Sequence, residues 1–105
     1  MVLNVQNWRV GDRLVRDKIF GTKHHGIYVG IHNGQHLVAE NNTPYGVQYV
    51  TFGDFLCGND LSRIEPFRGT EYQRSQIIQF INTKVGKGYD LVSYNCEHFV
   101  NEVLY

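Results

Sequence analysis

His24-His25-Gly26-Ile27-Tyr28-Val29-Gly30-Ile31, then His32-Asn33-Gly34, then Gln35-His36-Leu37-Val38-Ala39-Glu40, is the stretch from which the fold is read. Both arms are rich in β-branched and aromatic side chains, which pack well on a pleated surface. Asn33-Gly34 suits the two-residue turn whose central backbone is left-handed. The expectation is an antiparallel hairpin with strands over 24–31 and 35–40. Alternation splits the first arm into two sets. His25, Ile27, Val29 and Ile31 should face the main core, with His25 as packing. His24, Gly26, Tyr28 and Gly30 are small or polar and leave room beside His24.

Toward the N-terminus, Gly11-Asp12 marks a turn and residues 13–20 read as a strand exposed on one side, with Trp8 covering an edge of the core. Beyond the hairpin, 41–44 reads as a loop, 47–52 as a strand, 53–56 as a turn or short helix and 61–67 as another strand. Thr70-Glu71-Tyr72-Gln73 has the form of a capping box. The helix it opens should carry Ile77, Ile78, Ile81 and Val85 on one face and end at Gly86. Last comes Asn95, a helix N-cap, ahead of Cys96, Phe99, Val100, Val103 and Leu104, which form one helical stripe. The fold class expected is α+β, an antiparallel sheet packed against helices.

At 105 residues the chain supports one domain, 1–105. Zero formal net charge argues against a nucleic-acid partner held through phosphates. Residues 1–23 nevertheless carry five bases and two acids, a surplus suited to a solvated strand face or to anionic head groups or substrate. Two cysteines are too few for a disulfide-stapled secreted domain, so a reducing, cytoplasmic setting is expected. No apolar run reads as a signal peptide or a transmembrane segment.

Cys96 occupies the first turn of its helix, where the positive end of the dipole favours thiolate over thiol. A buried core cysteine is the plainer alternative. His24 and His36, on adjacent strands, supply imidazoles that complete the parts of a Cys–His–His nucleophilic site. A zinc site built from His24, His32, His36 and Cys96 lacks the compact ligand spacing such sites show, so neither metal nor cofactor is expected. Cys57 reads as buried or incidental.

Three blocks give these parts an identity: Gly11-Asp12; His24-His25-Gly26-Ile27-Tyr28-Val29-Gly30 with His36 twelve residues after His24; and Asn95-Cys96-Glu97-His98-Phe99-Val100-Asn101-Glu102. The chain resembles the lecithin retinol acyltransferase family, related by circular permutation to NlpC-type and papain-like cysteine hydrolases. The likeness runs from about residue 8 to 105 and is loose over roughly 41–70. It implies Cys96 as nucleophile, His24 as general base and His36 as third residue, with His25 structural; His98, turned about 200° from Cys96 by the helix repeat, reads as packing or hydrogen bonding. It further implies phospholipase or acyltransferase chemistry on an acyl-donor lipid through an acyl-Cys96 thioester, with peripheral membrane contact. Acyltransferase members continue into a C-terminal hydrophobic anchor, so the expectation here is either an anchor lying beyond Tyr105 or a soluble protein. Two alternatives stay open: an NlpC-like peptidase or amidase, and a non-catalytic interaction module like the viral 2A proteins that share the His-box and Asn-Cys signature.

Overall fold

A computed structural model of the chain describes residues 7–90 and 94–105. Five strands, β1 (Arg13–Asp17), β2 (Lys23–His32), β3 (Gln35–Asn42), β4 (Gly46–Thr51) and β5 (Leu61–Glu65), form an antiparallel sheet in the order β4-β3-β2-β1-β5. Helices α1 (Phe52–Leu56), α2 (Glu71–Asn82) and α3 (Cys96–Leu104) complete the α+β architecture among the described residues. None of these helices is long and apolar enough to cross a membrane.

The hairpin is the centre of the sheet. Asn33 and Gly34 both take positive φ, as the tight turn requires, and the arms run on either side of it. β3 extends to Asn42, so Asn41 and Asn42, expected in a loop, belong to the strand and pair with Val47 and Gly46. β1 is shorter than expected. It ends at Asp17, and a single 3-10 turn over Ile19–Gly21 leads into β2.

Both faces of β2 are covered. Ile27 and Val29 pack with Ile77, Ile81, Phe99 and Val100 of α2 and α3. Tyr28 packs with Leu14, Val38, Phe55 and Leu61, and Trp8 closes this second cluster edge-on against Tyr28 and Phe52. The open space expected beside His24 is therefore filled. A Cβ on Gly26 would lie 2.7 Å from both Phe55 Cε1 and Val38 Cγ1, so the glycine admits the Phe55 ring rather than a substrate.

α2 carries the expected box, with Gln73 N–H donating to Thr70 Oγ1 at 3.1 Å and Thr70 N–H to Gln73 Oε1 at 2.8 Å. Ile77 and Ile81 are buried, but Ile78 and Val85 are exposed and the helix stops at Asn82, short of Gly86. Cys57 is exposed, in the left-handed C-cap position of α1, which removes the buried alternative and leaves the incidental one.

Candidate active site

α3 begins where it does because its cap is reciprocal. Asn95 Oδ1 accepts from the Glu97 and His98 N–H groups, each at 3.0 Å, while His98 Nδ1 accepts from Asn95 N–H at 3.2 Å. His98 is thus a capping group. The cap makes Cys96 the first helical residue, at the positive end of the dipole. Asn41, wholly buried in β3, clamps the approach: its Nδ2 donates to Tyr94 O at 3.0 Å and Asn95 O at 3.3 Å.

His24, 1% exposed near the start of β2, is held on three sides. Its ring stacks on Phe55 with centroids 5.3 Å apart. Nε2 lies 2.9 Å from Glu40 Oε1, and Glu40 Oε2 accepts from Gln48 Nε2 at 2.9 Å. That leaves Nδ1 for Cys96, whose side chain is hydrogen-bonded to the ring. Gln48, Glu40, His24 and Cys96 therefore form one connected line from β4 to the tip of α3.

The electrostatics run along the same line. Burial alone would push the Cys96 thiol up. The His24 hydrogen bond, the His25 N–H and the positive charges of His24 and Lys18 outweigh it, and the thiol titrates below its ordinary range. Burial likewise pulls His24 down, but its hydrogen bonds to Cys96 and Glu40 and their negative charges raise it overall. The two shifts favour a thiolate–imidazolium pair.

His36 does not join this line. Its Nδ1 lies 2.7 Å from Tyr28 Oη, and its backbone pairs with Ile31, seven residues along β2 from His24. At about 3.3 Å per residue that places it roughly 20 Å away along the strand. The group against the His24 ring is Glu40, a residue the sequence reading missed. A turn centred on Asn33-Gly34 pairs residues whose numbers sum to 67, so residue 36 falls opposite 31, while that count alone would set Glu40 opposite Ile27, on the wrong face for His24. Ahead of the bulge between Tyr28 and Gly30 the sum becomes 66, which sets Glu40 opposite Gly26, one diagonal from His24. Nor do His24, His32, His36 and Cys96 converge as ligands, since His32 is exposed at the far end of β2.

The Lecithin retinol acyltransferase family model matches residues 6–105. The chain belongs to this family. No curated protein sequence matches it. Membership in the lecithin retinol acyltransferase family supports acyltransferase-type, lipid-related activity. In this member of the family, the remaining motif residues brace the site. Asp12 Oδ2 accepts from Arg9 N–H at 2.9 Å and Oδ1 from Phe67 N–H at 3.1 Å, tying the first turn to the segment after β5. Arg13 Nε donates to His25 Nδ1 at 3.1 Å and its Nη1 to Asn101 Oδ1 at 2.8 Å, joining β1, β2 and α3 just behind the thiol. His25 must be neutral to accept that bond. Burial and the Arg13 charge lower it to about 4.

Proposed function

We propose that the protein transfers or hydrolyses the acyl group of a lipid ester through a thioester on Cys96. The observation that carries this reading is the His24 ring held between Glu40 and the capped-helix thiol. Cys96 Sγ attacks the ester carbonyl carbon; the C–S bond forms and the π electrons move to oxygen. The Cys96 N–H, at the open end of α3, is placed to stabilise that oxyanion. As the intermediate collapses, the carbon–oxygen bond to the leaving alcohol breaks and His24 gives the alkoxide its proton. Water or an acceptor amine or alcohol then attacks the thioester. His24 takes the incoming proton and the thiolate leaves. Glu40 acts as the positioning residue, fixing the ring and stabilising its charged form, with Gln48 fixing Glu40 in turn. Glu40 fills that role rather than His36, which lies at the turn end of the hairpin against Tyr28. A His base early in the chain and the Cys nucleophile late is the order a circularly permuted NlpC-like hydrolase would have.

Incubation with a fluorescent acyl-donor phospholipid, followed by intact mass, is expected to show one acyl adduct that Cys96→Ala abolishes. A panel including peptide donors separates the rivals. Turnover of peptides alone would identify an amidase. No adduct with any donor, together with a Cys96 no more reactive than Cys57, would identify a non-catalytic module.

A further inference from the structure

The turn between β1 and β2 carries two apolar side chains that pack into neither core cluster among the described residues. Ile19 is 71% exposed and Phe20 95%. The tip is not slack. Lys18 N–H donates to Thr22 O at 2.8 Å, and Thr22 donates to Ile19 O through Oγ1 at 2.8 Å and through N–H at 3.3 Å. Phe20 sits at φ 58°, ψ 31°, a left-handed backbone that a large aromatic residue rarely adopts. A structured turn thus holds an aromatic ring out in water, which favours burial elsewhere.

The setting specifies where. Lys18 and Lys23 flank the apolar pair, and all six residues from 18 to 23 are exposed. Lys23 pairs with Asp17, whereas no carboxylate among the described residues pairs with Lys18. The turn also borders the site: Lys18 lies close enough to Cys96 for its charge to act on the thiol, Arg16 pairs in register with His24, and Lys23 directly precedes His24. Apolar tips between lysines match a phospholipid surface, with the side chains entering the acyl boundary and the ammonium groups remaining among anionic head groups.

We propose that Ile19 and Phe20 form a wedge that seats the protein on an anionic phospholipid bilayer, bringing the N-terminal end of α3 and Cys96 toward the lipid interface. This deepens the lipid-ester reading and rests on it for the choice of a bilayer over a protein partner. The test is co-sedimentation of the full chain with vesicles of phosphatidylcholine, with and without phosphatidylserine. The comparison is with Ile19→Ser/Phe20→Asn, since asparagine tolerates left-handed backbone. Wild-type protein is expected to bind the mixed vesicles, less so in high salt, and the double variant about tenfold or more weakly. Unchanged alkylation of Cys96 by soluble iodoacetamide shows that the variant is folded. Equal binding by both proteins, or no binding by the wild type, overturns the wedge. Binding does not require turnover, so tip-dependent binding without an acyl adduct leaves the wedge standing and removes the acyl-transfer reading. An adduct with equal vesicle binding does the reverse.

Discussion

The carboxylate of Glu40 decides how the His24 ring behaves, and that is measurable at a single atom. Its charge stabilises the imidazolium that accompanies a Cys96 thiolate. Glu40→Gln keeps an acceptor but removes the charge, so the thiolate should form at higher pH. A shift of one unit means alkylation about tenfold slower on the acid limb, read from iodoacetamide rates against pH. His36→Ala, distant and paired with Tyr28, should leave that profile in place. Much of this site was legible. Asn95 before Cys96 announced a capped first turn because capping is local chemistry, whereas alternation separates His24 from His25 without saying which meets the thiol, and the family likeness made that choice. Glu40 escaped because the register shift between Tyr28 and Gly30, which brings it onto the His24 side, belongs to the folded pairing and not to the turn count. Phe55 escaped for a different reason. No nearby residue says that a ring from α1 will fill the space over Gly26.

Among the elements, the two capping boxes do similar local work with different consequences. Thr70→Ala should cost about 1 kcal/mol, a fall of roughly 4–8 °C in Tm, while Cys96 alkylation stays at its wild-type rate. Asn95→Ala removes a comparable cap and should slow alkylation as well, because the first turn of α3 is what holds the thiol against His24. Thermal unfolding and alkylation measured on both variants separate the effects. At the centre of the sheet, Gly26→Ala pushes a methyl group against Phe55 and Val38, an overpacking cost of about 1–3 kcal/mol. Denaturant midpoints check that figure. The end of α2 shows where periodicity misleads. Val85 falls on the apolar face of an ideal helix, yet the chain leaves the helix at Asn82, whose Oδ1 accepts from Tyr49 Oη. Asn41 misled the reading in the opposite direction: its composition suggests a loop, but in β3 its amide satisfies the carbonyls leading to Cys96.

For the molecule as a whole, acid stability follows from the buried junction of Arg13, His25 and Asn101. His25 titrates near 4 when folded and near 6.5 when unfolded, so the unfolded chain takes up the proton first. Stability from this group is complete above pH 6.5 and is lost as pH falls toward 4, by up to about 3 kcal/mol. His24 has the opposite sign: its contribution is complete below 6.5 and fades as pH rises through its raised folded value. Urea midpoints should therefore fall between pH 6.5 and 4. His25→Gln, which keeps an acceptor for Arg13 but cannot titrate, should flatten that part of the curve. The hairpin carries one last implication. His36 lies twelve positions after His24 and Glu40 sixteen, so the two stand toward opposite ends of β3. Residues added in matched pairs beside the turn would push it outward and leave the pairing at the opposite pole untouched. Length at the far tip is thus free to vary without moving the carboxylate from the imidazole.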